Sequence, residues 1–291
     1  MPEHIPVLVS EVLESLKPKP NQNFIDSTVG FGGHAREILK KTFPKGQLLA
    51  IDQDPVAIEE AKKQLKNYLG RVQFAQVNFA ELGLVIRDWK VGEIAGILFD
   101  LGTSTDQLTS EERGFSFRGD APLDMRMSPK IQITAAQIIN RAKFQELKRI
   151  LKDYGEEPWA AKIAAEIVKV RAQKPITRTA ELVEIVSRVI PLRFQTGRIH
   201  WATKTFQAFR IATNDELKVL ESGLKQALQI LSPGGRIVVI SFHSLEDRIV
   251  KRFFKENNLT LLTRKPITAS MEEIRANPRS RSAKLRAAIK T

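Results

Sequence analysis

Short apolar runs alternate, over the first hundred residues, with segments whose apolar positions recur every three or four residues. Asn23-Phe-Ile, Gln47-Leu-Leu-Ala-Ile-Asp52, Val72-Gln-Phe-Ala-Gln-Val-Asn78 and Ile94-Ala-Gly-Ile-Leu-Phe-Asp100 read as strands. The last is apolar at successive positions, as a central parallel strand covered on both faces should be. Between them the helical period predicts a lead-in helix within residues 4–16, a helix over 35–41, and a third in which Ile58, Ala61, Leu65 and Leu69 share a face behind the N-cap and first-turn pair Asp54-Pro55. Strands alternating with helices predict a doubly wound sheet, whose ligands sit beyond the carboxyl ends of the strands. Asp26, Asp52, Asn78 and Asp100 all fall at such ends.

The pattern then changes. Residues 101–129 are rich in Gly, Ser, Asp and Pro and are too long for an ordinary connection. From 134 to about 195 the chain reads helical throughout, with a capping box at Thr134 and Gln137, one stripe at Trp159, Ile163, Ile167 and Val170, and another at Leu182, Val186 and Val189. Thr213 and Glu216 read as a second capping box, opening a helix with Leu217, Leu220, Leu224, Leu228 and Leu231 on one face. Ser232-Pro-Gly-Gly235 stops it before a fifth strand over 236–242. A helix over 245–256 and two closing strands, 259–263 and 283–290, follow, and with no clear helix between them those strands are expected to form an antiparallel hairpin at the sheet edge. The expected organisation is an α/β sheet domain built from 1–108 and 205–291, with a loop and helical insert over 109–204.

Charge adds a partner class. Forty-six Lys and Arg against 33 Asp and Glu leave a formal +13, which favours a polyanionic partner over an acidic metabolite. The excess is uneven: residues 141–210 hold 15 cations against 7 acids, and 264–291 hold 8 against 2. Arg198-Ile-His-Trp-Ala-Thr-Lys-Thr-Phe206 and Arg210 interleave cations with aromatics, as single-stranded nucleic acid requires, although a solvated helix face accounts for any one of these charges. The absence of cysteine excludes disulfides, a thiol nucleophile and a Cys-based zinc site, and the four histidines show no metal-ligand spacing, so no metal is expected. No run approaches the length of a membrane span and the start lacks a leader pattern, so a soluble cytoplasmic protein is expected.

The candidate chemistry centres on Asn23-Phe-Ile-Asp-Ser-Thr-Val-Gly-Phe-Gly-Gly-His-Ala-Arg36, a strand running through a glycine turn into a helix whose unpaired N–H groups face whatever sits on the turn. Gly30-x-Gly32-x-x-Ala35 with Asp52 about 20 residues on meets the dinucleotide fingerprint, and Asp52 suits the ribose of NAD or of S-adenosylmethionine (SAM) equally. Asp26 separates the two. A carboxylate beside the turn repels a pyrophosphate, whereas SAM carries an ammonium and a sulfonium, so SAM is the expected cofactor.

The reacting methyl would then face the end of the fourth strand, where Asp100, nearby carbonyls and the hydroxyls of Thr103, Ser104 and Thr105 are candidate acceptors for the N–H groups of an exocyclic amine; turn stabilisation explains the hydroxyls equally. In the next segment, Arg113, Phe115, Asp124 and Arg126 are candidates for clamping a flipped base, or else parts of a loop with its own small core. His243, at the end of the fifth strand, reads as a capping residue.

Taken together, His4-Ile-Pro-Val-Leu, Gly30-Phe-Gly-Gly-His34, Ala50-Ile-Asp52, Asp100-Leu-Gly, Glu112-Arg-Gly-Phe-Ser-Phe117, Pro122-Leu-Asp-Met-Arg-Met127, Ala202-Thr-Lys-Thr-Phe-Gln207, Ile240-Ser-Phe-His-Ser-Leu-Glu-Asp-Arg248 and Asn277-Pro-Arg-Ser-Arg-Ser282 give the chain its resemblance, over essentially its whole length, to the bacterial 16S rRNA cytosine-N4 methyltransferases called RsmH or MraW. The resemblance implies a Rossmann-like SAM-methyltransferase sheet and methylation of the N4 amine of a decoding-region cytidine in the small ribosomal subunit. It places SAM contacts on Gly32, Gly33, His34, Asp52, Phe79, Asp100 and Gln107, and Asp100 and Ser104 are the catalytic candidates. Lys204, Arg210, Arg279 and Arg281 join the loop residues as candidates for holding the RNA. A DNA amino-methyltransferase, an NAD-dependent oxidoreductase and a non-enzymatic rRNA-binding factor are the competing readings.

Overall fold

The computed structural model describes residues 5–102, 112–196 and 200–291. The chain divides into two compact units, Met1–Gly102 with Leu217–Thr291, and Thr103–Glu216. The boundaries therefore fall at 102/103 and 216/217 rather than at the expected 108/109 and 204/205. The second shift assigns a whole helix to the inserted unit, because its Phe206 and Phe209 are buried in that unit's core.

The first unit runs α1 (Val9–Leu16), β1 (Asn23–Asp26), α2 (Gly33–Lys41), β2 (Leu48–Asp52), α3 (Pro55–Gln64), β3 (Val72–Gln76), α4 (Leu82–Asp88) and β4 (Ile94–Asp100). The inserted unit contributes α5 (Ala135–Arg141), α6 (Phe144–Asp153), α7 (Ala160–Arg171), α8 (Thr179–Val189) and α9 (Thr203–Asn214). The chain returns through α10 (Glu216–Ile230), β5 (Arg236–Ser241), α11 (Ser244–Glu256), β6 (Thr260–Leu261), α12 (Met271–Ala276) and β7 (Lys284–Ile289).

The sheet has seven strands in the order β3-β2-β1-β4-β5-β7-β6. β1 to β5 pair in parallel, and β7 runs antiparallel to both β5 and β6. The closing strands pair as expected, but α12 stands between them in sequence; its polar stretch hid a helix of only six residues. Near-continuous apolar runs make these central strands because both faces are covered. Along β1, Phe24 enters one core and Ile25 the other; β4 sends Leu98 to the first and Ile97 and Phe99 to the second; β5 likewise divides Val238 and Ile240 from Ile237 and Val239. α1, α2 and α3 fill the first core through Leu16, Ile38 and Ile58, and α4, α10 and α11 the second through Leu82, Leu224 and Phe254. Truncating fully buried Phe99 to alanine would cost about 3–5 kcal/mol by this packing. The polar ends of the strands are what this rigid centre holds still.

The helical unit has its own core, in which Leu147, Ile150, Ile163, Ile167, Leu182, Val186, Phe206 and Phe209 pack together. Thr134 and Gln137 form the expected capping box. Thr213 does not open a helix: it lies in the last turn of α9 with its hydroxyl buried and unpartnered, and the break comes at Asp215, whose φ is 49°. Asn214, at the end of α9, accepts from the Met127 N–H and donates to the Met125 carbonyl, both at 2.8 Å, and so pins the loop before α5.

Candidate functional site

The site is built where β1, β2 and β4 end side by side. Asp26, Asp52 and Asp100 are the last residues of these neighbouring strands, so the parallel register delivers their carboxylates to one edge of the sheet. The chain leaves β1 through a turn that two glycines permit: Gly30 has φ +50° and Gly32 φ +84°, the left-handed region where side chains are strained. Gly33 is required for a different reason. A Cβ there would lie 2.8 Å from Cγ of Pro6, so the N-terminal segment packs against a bare backbone.

Asp52 is locked by two backbone donors, Gly30 N–H to Oδ2 at 3.0 Å and Asp54 N–H to Oδ1 at 2.9 Å, and burial pushes its pKa up to about 6. Asp26 is 1% exposed and accepts from the Thr28 N–H at 3.2 Å; its pKa is pushed up to about 7 by burial, against the opposing pull of His34. Thr28 Oγ1 in turn accepts from the Asp100 N–H at 2.6 Å, joining the turn to the end of β4. His34, in the first turn of α2, holds Nε2 3.5 Å from Oδ2 of Asp100, a charge contact too long for a hydrogen bond. Burial alone would depress this imidazole, but Asp100 and then Asp26 outweigh it and raise its pKa.

Buried polar atoms in a folded protein are normally paired. Here Ser27 Oγ, both ring nitrogens of His34 and Asp100 Oδ1 are buried without a hydrogen-bond partner among the described residues, and Ser27 and His34 flank the glycine turn. Donors, acceptors and neighbouring carboxylates at one edge of the sheet fit a ligand with an amino-acid end and a ribose. SAM is such a ligand.

Two residues after β3 make contacts of their own. Phe79, half-buried, stands edge-on to Phe99 with centroids 5.4 Å apart, and a Cβ on Gly223 would come within 2.5 Å of its ring, so its ring packs between β4 and α10. Asn78 caps the turn over Phe79–Glu81 by accepting from the Ala80 N–H at 2.9 Å. His243 caps α11 through Nδ1, as its place in the sequence predicts. Ser104 and Gln107 lie outside the described residues, as do Thr103 and Thr105.

In the helical unit, Phe115 is 6% exposed within the core, and Arg113 donates to the carbonyls of Arg126 and Met127. Arg126 grips Asp124 through Nε and Nη2 at 2.8 and 2.7 Å. The loop thus packs into the core of the helical unit, and a base stacking on Phe115 would have to displace that packing. Arg210 is bidentate to Glu216, with both bonds at 2.9 Å, and Lys204 donates to the Glu156 carbonyl at 3.0 Å. In the sheet unit, Arg279 is half-buried, which pulls its pKa down, and Arg281 is exposed.

Sequence reading missed the support beneath the turn. The Leu8 N–H donates to Glu273 Oε1 at 2.8 Å and Asn277 Nδ2 to the Ile5 carbonyl at 3.0 Å, so α12 holds the segment that seats Pro6 on Gly33. The two segments are some 270 residues apart, and only their presence among the family-like motifs hinted that they meet.

The model of the MraW methylase family matches residues 1–291. Ribosomal RNA small subunit methyltransferase H of Heliobacterium modesticaldum is 48% identical over 307 aligned residues, covering 99% of this chain and 98% of that protein. The protein of the same name from Geobacter sulfurreducens is 48% identical over 306 residues and that from Clostridioides difficile 44% over 306, each with 99% and 98% coverage. With the carboxylate-lined glycine turn in place and similarity running from end to end, the chain belongs to the MraW methylase family.

Proposed function

We propose that the protein transfers the methyl group of SAM to the N4 amine of a cytidine in the 16S rRNA of the small ribosomal subunit. That it is a SAM-dependent methyltransferase follows from its family; the position methylated and the roles of its residues are the reading offered here. The observation that carries this reading is the set of unpartnered buried atoms on Ser27, His34 and Asp100 beside the left-handed glycines.

SAM, when bound, supplies a methyl group on a sulfonium, which needs an aligned nucleophile and little covalent help. Asp52, already fixed by two backbone donors, accepts from ribose hydroxyls. Gly32 and Gly33 shape the turn on which the cofactor lies, and Asp26 and His34 serve the amino-acid end. Asp100 Oδ1 accepts an N–H of the cytosine amine, drawing the delocalised lone pair back to nitrogen. His34 Nε2, 3.5 Å from Oδ2, holds the other oxygen of that carboxylate in place. The family resemblance adds Ser104 and Gln107 to the set, and the cations of the helical unit and of residues 264–291, including Lys204, Arg279 and Arg281, serve the phosphate backbone. No helix among the described residues is long and apolar enough to cross a membrane, which suits a ribosomal substrate.

Incubation with radiolabelled SAM and small subunits that lack the modification should label 16S rRNA, and duplex DNA offered in parallel should stay unlabelled. Label in DNA alone, or in neither, would remove the proposal.

A further inference from the structure

One surface of the helical unit carries features that the methyl-transfer site does not use. Trp159, at the N-terminus of α7, and Phe194, in the short turn Leu192–Phe194 after α8, bring their rings together at 6.1 Å between centroids and a 53° tilt. Each ring carries its own cation: Lys162 Nζ lies 4.9 Å from the centre of the Trp159 ring, and Arg193 Cζ lies 4.9 Å from that of Phe194. Phe194 is 50% exposed and neighbouring Leu192 80%. Aromatic and aliphatic side chains left in water beside one another mark a surface that meets something.

The cations decide what kind of partner fits. An apolar protein face would have to strip water from both Lys162 and Arg193 without pairing them, which is costly. A nucleic acid strand does the opposite, laying bases on the rings and phosphates beside the charges. Residues 141–210 of the same unit, with 15 cations against 7 acids, have the matching sign. The backbone that carries the rings is fixed in advance. The backbone N–H of Trp159 donates to Glu157 Oε1 at 3.0 Å, and Gln195 Nε2, next to Phe194, donates to the carbonyls of Ser187 and Ile190 at 2.8 and 2.7 Å. A preformed platform loses little freedom on binding.

We propose that Trp159 and Phe194, flanked by Lys162 and Arg193, form a stacking platform for unpaired nucleobases of the RNA substrate. The proposal rests on the reading of small-subunit rRNA as substrate and adds to it a place where the strand is held. Stacking of this kind accepts any base, so the platform anchors flanking nucleotides and does not select the target.

The test is binding of a labelled unpaired RNA oligonucleotide, read by fluorescence anisotropy, for the wild type, Phe194→Ala, Phe194→Tyr and Lys162→Glu. Loss of one stacked base should weaken binding by at least about fivefold in Phe194→Ala, while Phe194→Tyr, which keeps the ring, stays within about twofold of wild type. Lys162→Glu should also weaken binding and reduce its dependence on salt. Because Phe194 is exposed, unchanged unfolding temperatures serve as the folding control. Wild-type affinity in Phe194→Ala would overturn the platform. So would weaker binding of that variant to assembled subunits with undiminished binding to protein-free RNA, since the rings would then meet a ribosomal protein. Oligonucleotide binding needs no methyl transfer, so a protein that binds RNA through Phe194 but methylates no rRNA would support the platform while contradicting the substrate reading.

Discussion

Nε2 of His34 lies 3.5 Å from Oδ2 of Asp100, so the first turn of the helix after the glycine turn is tied by charge to the tip of the central strand. Asp26, buried at the end of β1, sits within the electrostatic reach of both. The cluster holds protons that an unfolded chain would release, and that gives stability a defined pH dependence.

For Asp26 the folded pKa is raised from 3.8 to about 7, so its contribution to stability is full below the unfolded value and is lost as pH rises through the folded one. Asp52, raised to about 6, acts in the same direction, and His34, raised above 6.5, extends the loss to higher pH. Asp26→Asn removes the first of these and should raise the unfolding free energy at pH 8 by about 1–4 kcal/mol, with little gain near pH 4. Denaturant titrations at the two pH values check this; an equal difference at both would contradict the assignment. The stabilised variant should bind SAM more weakly, since the carboxylate is kept for its ligand and not for the fold.

Asp52→Ala should weaken SAM binding by about 1–3 kcal/mol through loss of charge-assisted hydrogen bonds to the ribose. Isothermal calorimetry measures it, and wild-type affinity would place the cofactor elsewhere.

Gly33→Ala tests the close approach of Pro6. The added Cβ would meet Pro6 Cγ at 2.8 Å, and shifting that segment should cost about 1–3 kcal/mol of stability and weaken SAM binding with it. Gly70→Ala, where a Cβ meets nothing within 4 Å, is the control and should leave both unchanged; equal melting temperatures for the two variants would contradict this account of the turn.

Asn214→Ala leaves the Met127 N–H and the Met125 carbonyl without their partner in a buried setting, at a cost of about 1–3 kcal/mol. The loop that it pins should become more open to limited proteolysis, with cleavage falling between residues 112 and 134. Unaltered protection there would show that the loop is held by its packing into the helical core alone.

The strand ends were legible because each apolar run stops at a carboxylate: Asp26, Asp52 and Asp100 could be placed from burial pattern alone. Local signals failed where tertiary packing chose between equal alternatives. Thr213 and Glu216 match a capping box, yet α9 runs through Thr213 and ends with Asp215 in the left-handed region. Residues 198–206 with Arg210 read as a basic aromatic surface, but Phe206 turns into the helical core, as Phe115 does. The clamp of Glu273 and Asn277 on the N-terminal segment joins groups separated by 265 and 272 residues, which no periodicity encodes. Orphaned atoms such as Asp100 Oδ1 become visible only when every neighbour is known.

Mass spectrometry of the nucleosides released from 16S rRNA, after unmodified small subunits are incubated with SAM and this protein, reads the central claim directly. The account predicts cytidine carrying one added methyl on N4, with the product absent when Asp100→Ala replaces the wild type. Methyl on the ring carbon, on another base, or in equal yield from the variant would contradict it.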